Sequence, residues 1–195
     1  RPQEAFGSLK KIELCRGTGG GELKDTEIIE ALLSKLRIAA GRHLYGVVGS
    51  YDALERFAPR LCEVTMPDGS PFPEPVSVTA GVLSVIPQDE FTRLAAEEAR
   101  YPEAVRARVN RAFEEFLRST LKQGMVVMKD LEILFAYDVD LSPLRALSTD
   151  RQRALLLLPG KRTGEKITMF PGSGDIFLPV DLIANDHIWT LQEQG

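Results

Sequence analysis

Apolar and polar positions follow two rhythms along this chain. In TEIIEALLSKLRIAA, residues 26–40, Ile28, Ile29, Leu32, Leu33 and Leu36 recur at helical spacing and fall on one face. That spacing predicts a helix with Thr26 as its N-cap and Gly41 as its stop. Leu44–Val48 is instead a continuous apolar run, the pattern of a strand covered on both faces. Gly49-Ser50 follows at once, and then Leu54, Phe57 and Leu61 return to helical spacing, with Pro59 near the end of that helix. Before all of these, LKKIELC (9–15) reads as a short strand and RGTGGGELKD as a glycine-rich connector.

Residues 62–86 break the rhythm. CEVTM alternates, PDGSPFPEP is turn chemistry, and VSVTAGVLSVI is rich in β-branched residues, which predicts a hairpin near 62–80. Its proline-stiffened loop, 67–75, is expected to project, and Phe72 is either its apolar tip, for a protein partner or a second copy, or a ring folded back onto the core. PQDEFTRLAAEEARYP reads as a helix, and residues 102–122 as a longer one with Val105, Val109, Phe113, Phe116 and Leu117 as its stripe. Pro102 suits a first helical turn and Gly124 a stop. MVVMKDLEILF and ALLLLPGK supply the two strongest strands, separated by a helix in DLSPLRALSTDRQ, and one or two short strands close the chain. Strands alternating with helices predict one α/β domain over 1–195, with a mostly parallel sheet and helices on both faces. Leu44–Val48, Gly124–Met128 and Ala154–Leu158 are expected in that one sheet. Val47, Phe113, Phe116, Val126, Val127, Leu155 and Leu157 are expected in its core.

Composition adds exclusions. With 195 residues, 44% hydrophobic and 27% charged, the chain is long enough for a sizeable core without disulfides or metal. A net charge of −4 gives no global drive toward nucleic acid. Cys15 and Cys62, with only His43 and His187, form no zinc pattern and read as buried thiols of a cytoplasmic protein. No apolar run approaches 18 residues, so no membrane span is expected.

Strand, Gly-Ser, helix at 44–61 is the setting of a phosphate-binding loop, with Gly49 and Ser50 as the cofactor-binding candidates. The loop itself requires G-x-x-x-x-G-K-[ST]. Here GSYDAL lacks the lysine and the hydroxyl residue after it, and Asp52 stands roughly in their place. A carboxylate at about 5 Å from one phosphate charge costs about 3 kcal/mol at an effective dielectric of about 20. Asp130 ends an apolar strand, where a carboxylate can hold magnesium, and Glu132 is placed to polarise a water. An apolar strand ending in Asp is also common turn chemistry. RGTGGGELKDT matches neither phosphate motif and reads as a connector. The arginines of 100–118 interleave with Glu103, Glu114 and Glu115 as a solvated helix face. Those of 145–162 fall toward the carboxyl edge of the sheet, where a phosphate-bearing partner would bind. His43 precedes its strand and no G-x-S-x-G occurs, against a hydrolase triad.

MKDLEILFAYDVDLSPLRALSTDRQRALLLLPG, followed by EKITMFPGSGD, resembles the small P-loop-like ATPase family of bacterial phage-exclusion (BREX) defence islands. Asp130, Glu132, Leu134, Phe135, Pro143, Leu144 and Arg145 carry the likeness, within residues 125–175. Before residue 120 only the order of elements is similar. The resemblance implies a P-loop NTPase-like core and partners from the same island, and it implies a phosphate loop that GSYDAL does not supply. The expectation is therefore a non-catalytic, ATPase-like subunit of an anti-phage complex, with no cofactor. An atypical ATP-binding switch or weak ATPase using Asp130 and Glu132, with magnesium, is the alternative, and a nucleic-acid-binding module, DNA among its possible partners, a third. Arg145 and Arg162 are expected beside the two carboxylates as their cationic matches.

Overall fold

The computed structural model describes residues 21–193. LKKIELC, Cys15 and the glycines before residue 21 lie outside them.

Three apolar runs make the centre of the sheet. β2 (Leu44–Gly49) pairs in parallel with β5 (Arg153–Thr163), and β5 with β4 (Met125–Lys129). β8 (Ile188–Leu191) flanks β2 on its other side, and the two-residue strands β1 (Glu22–Leu23) and β3 (Val76–Ser77) form the ends. The parallel path runs β1-β8-β2-β5-β4-β3. Beyond Pro159, β5 also pairs antiparallel with β6 (Lys166–Met169), which pairs with β7 (Ile176–Phe177). The expected α/β class, with a mostly parallel sheet flanked by helices, is what forms, and the three predicted strands share one sheet.

Alternation along the central strands divides the core. Leu44, Val48, Val126, Met128, Leu156 and Leu158 face one side, under α3 (Val78–Val85), α5 (Pro102–Leu121), α6 (Glu132–Ala136) and α7 (Ser142–Leu147). Tyr45, Val47, Met125, Val127, Leu155 and Leu157 face the other, under α1 (Asp25–Leu36) and α2 (Tyr51–Cys62). All seven expected core residues are buried. α4 (Gln88–Glu97) buries none of its residues and is tied to α5 by Glu90 and Arg108 at 2.9 Å. No described helix is long and apolar enough to cross a membrane.

Four readings need correction. Helix α1 starts two residues early: Lys24 is its N-cap, with the Lys24 amide donating to Glu27 Oε2 at 2.8 Å, and Thr26 lies inside the first turn. The helix also ends at Leu36, before Gly41. The strand in MVVMKDLEILF stops at Lys129, because Asp130 turns the chain at φ 54° and Glu132–Ala136 is helical. The predicted return strand VSVTAGVLSVI is mostly α3. Ser77 Oγ accepts from the Ala80 amide, while the Thr79 amide and hydroxyl both donate to the Asp130 carbonyl. Val78 and Val82, four apart, then pack toward α5 beside Gly81, where a Cβ would stand 2.3 Å from the Phe116 ring. This packing outweighs the β-propensity of the valines.

The hairpin of 62–80 therefore contracts to a tight loop. The Phe72 amide donates to Val64 O at 3.2 Å, and the Met66 amide to Ser70 O at 2.7 Å. Phe72 is 3% exposed and packs with Met66 in the α1/α2 core. Of the two placements open to it, the ring takes the one folded back onto the core and is no projecting tip for a partner, because burying it under the helices recovers more than exposing it.

Candidate functional site: a groove along helix α2

β2 passes into α2 through a single residue, Ser50. Ser50 caps the helix, its Oγ accepting from the Ala53 amide at 3.3 Å, so one of the donors that would greet an anion is already used. Gly49 has a packing reason: a Cβ there would meet the Leu191 side chain at 3.2 Å. Asp52 lies in the first turn, where the helix dipole favours a carboxylate. Five or so residues of phosphate-wrapping loop have no counterpart here.

Across from this turn, Asp130 leaves the carboxyl end of β4 in a left-handed conformation that Asp tolerates. Its backbone carbonyl anchors α3 through Thr79, and its side chain faces a groove. Glu132 opens α6, and Tyr51 spans the gap, its hydroxyl donating to Glu132 Oε1 at 3.1 Å. Burial first, then the Glu132 hydrogen bond and the charges of Glu132 and Asp130, push the Tyr51 phenol up.

The groove encloses about 560 Å³ between α2 and the uncovered strip of sheet. Leu54, Ala58, Pro75, Leu157 and Pro159 form its apolar wall. Glu55, Glu74, Asp130 and Glu132 line it with four carboxylates, against the one ammonium of Lys129. Cys62 closes the far end, its Sγ donating to Pro73 O at 3.8 Å and its thiol pushed up by burial and then by the Glu74 charge. No three metal-ligating side chains converge among the described residues. The groove thus brings Asp130 and Glu132 to the edge where Gly49 and Ser50 lie, with carboxylates outnumbering its single ammonium.

Arg145 and Arg162 do not join the carboxylates. Arg145 donates to Asp181 O at 3.0 Å, beside Arg42, Leu44 and His187 at the amino edge of the sheet. Arg162 donates to Gly164 O at 3.1 Å and to Ile188 O, the first residue of β8, at 3.2 Å. β5 runs on past the sheet edge and folds back with β6, which carries Arg162 away from Asp130. Tyr51, Glu55, Glu74 and Lys129 were not foreseen as site residues. Tyr51 and Glu55 had a signal, since both share the face of α2 that begins at the Gly-Ser turn; Glu74 had none.

No protein family, no curated protein and no solved structure matches this chain.

Proposed function

We propose that this chain is an ATPase-like α/β domain that works by binding a protein partner and does not turn over nucleotide. The sheet is compatible with such a core: the strand entering Gly49 and the strand leading to Asp130 are separated by β5 alone, and both end at one edge. One observation carries the non-catalytic half of the reading. The β2–α2 connection is one capped residue followed by Tyr51 and Asp52, and Tyr51 is hydrogen-bonded to Glu132. A nucleotide entering there meets carboxylates at Asp52, Asp130 and Glu132 and no loop lysine. Each such repulsion costs about 3 kcal/mol at about 5 Å and an effective dielectric of about 20.

Calorimetric titration with magnesium and ATP is expected to give no binding tighter than about 1 mM, equivalent to about −4 kcal/mol. Micromolar binding would falsify the non-catalytic reading and return Asp130 and Glu132 to a metal and water role.

The place of the protein in a prokaryotic anti-phage defence assembly rests on the resemblance of residues 125–175. A tagged chain expressed from its native operon should bring down co-encoded proteins, and deleting it should raise phage plating efficiency. Unchanged plating after deletion removes that assignment.

A further inference from the structure

The groove along α2 is elongated and lined largely by carboxylates and apolar side chains. Tyr51, Leu54, Glu55, Ala58, Pro59 and Cys62 follow one another by 3, 1, 3, 1 and 3 positions, so a single face of α2 lines it from first turn to last. At about 1.5 Å per residue that face is about 16 Å long. An extended peptide, at about 3.3 Å per residue, spans it with about five residues. Apolar wall and acidic lining occur together along that length, which suits side chains of two kinds presented in turn. The carboxylates are spread along the groove and do not converge on a point, which favours separate guanidinium or ammonium groups over one divalent ion. The chain itself carries a net charge of −4, which disfavours a second copy as the occupant.

We propose that this groove docks a basic peptide segment of a partner protein, one in which Arg or Lys alternates with apolar residues. The assignment rests on the reading of the chain as a protein-binding domain and names the chemistry of the partner. Apolar side chains of the segment lie against Leu54, Ala58 and Leu157, while its cations meet Glu55, Glu74, Asp130 and Glu132. The raised Tyr51 and Cys62 groups, at opposite ends, both feel neighbouring carboxylates after burial, in keeping with one negative field along the groove.

The test is fluorescence anisotropy with a labelled decapeptide of alternating Leu and Arg, against the same peptide with Glu in place of Arg. The Leu-Arg peptide is expected to bind and the Leu-Glu peptide not to. Glu55→Gln with Glu74→Gln should weaken binding at least about tenfold, because both side chains are exposed and their loss removes two of the four charges. Raising the salt from about 0.05 to about 0.5 M should weaken it comparably, as the screening length shrinks. Ala58→Arg, which fills the groove with a tethered cation, should abolish it; circular dichroism confirms that each variant folds. Unchanged affinity in the double glutamine variant overturns the proposal, as does displacement of the peptide by an equal concentration of spermine, which would mark a simple polycation site. If both ATP and the peptide fail to bind, the docking assignment alone falls. If ATP binds tightly and the peptide still binds, only the non-catalytic reading falls.

Discussion

His43 sits at the start of β2, 2% exposed, with Nδ1 2.8 Å from the Tyr45 hydroxyl and Nε2 without a partner among the described residues. Tyr45 in turn lies against the His187 ring at 4.8 Å between centroids and stacks on Trp189 at 6.0 Å. Burial lowers both imidazoles, helped at His43 by the Arg153 and His187 charges and opposed at His187 by Asp186. Burial also pushes the Tyr45 phenol up to about 12, so it stays protonated throughout the useful range. The sign follows from linkage. A histidine whose folded value lies below its unfolded value of 6.5 binds protons more readily when unfolded. The stability tied to these two residues is complete above pH 6.5 and is lost as the pH falls through their lowered folded values. Denaturant midpoints at about pH 7.5 and about pH 5.5 should differ, with the lower pH less stable. His43→Gln should flatten that difference; an equal drop in His43→Gln would place the titration elsewhere. Nothing in the sequence singled out this cluster. HLYG and NDHIWT lie far apart in the chain, and only the parallel pairing of β2 with β8 brings them side by side.

At the scale of elements, the α3–α5 contact separates what the sequence discloses from what it conceals. The long helix was legible because its stripe repeats over more than three turns and Pro102 marks its start. The central strands were legible because unbroken apolar runs have few other destinations in an α/β chain. α3 was hidden: eight residues rich in valine carry a strand's composition, and the contacts that make them helical are tertiary. The placement of Phe72 stayed open for the same reason, since proline-rich turn chemistry gives no hint of which way a ring points. At Gly81 a Cβ would fall 2.3 Å from Phe116 Cε2, so the two helices meet with a ring against bare backbone. Gly81→Leu should overpack the contact and cost about 1–3 kcal/mol, although leucine is the better helix former. Phe116→Ala should cost about 3–5 kcal/mol by leaving a cavity. Combined, the two changes should cost clearly less than their sum, because the new side chain occupies the space the ring vacates. Strict additivity in denaturant titrations would show that the helices do not meet in this way.

For the molecule as a whole, the sheet is shared property. β2, β4 and β5 each send alternate residues into the α1/α2 core and into the α3/α5/α6/α7 core, so neither core has a central strand of its own. The candidate site lies where the sharing is incomplete, on the strip beside short β3 that α2 does not cover. Its Gly-Ser turn and its Asp130 were legible because each is contiguous with a strand in the sequence. Glu74 and the tyrosine bridge were not, because separate segments meet there only after folding. Shared strands should also make the fold cooperative. Trp189 is the one tryptophan of the chain, and it belongs to the α1/α2 core. Phe113 is fully buried in the opposite core. Phe113→Ala, expected to cost about 3–5 kcal/mol, should therefore lower the unfolding transition seen by Trp189 fluorescence as much as the one seen by far-ultraviolet circular dichroism. Coincident transitions would follow from strands that cannot lose one covered face and keep the other. A Trp189 transition left in place while the helical signal falls early would mean that the α1/α2 face holds the sheet unaided, and the two cores would then be separate cooperative units.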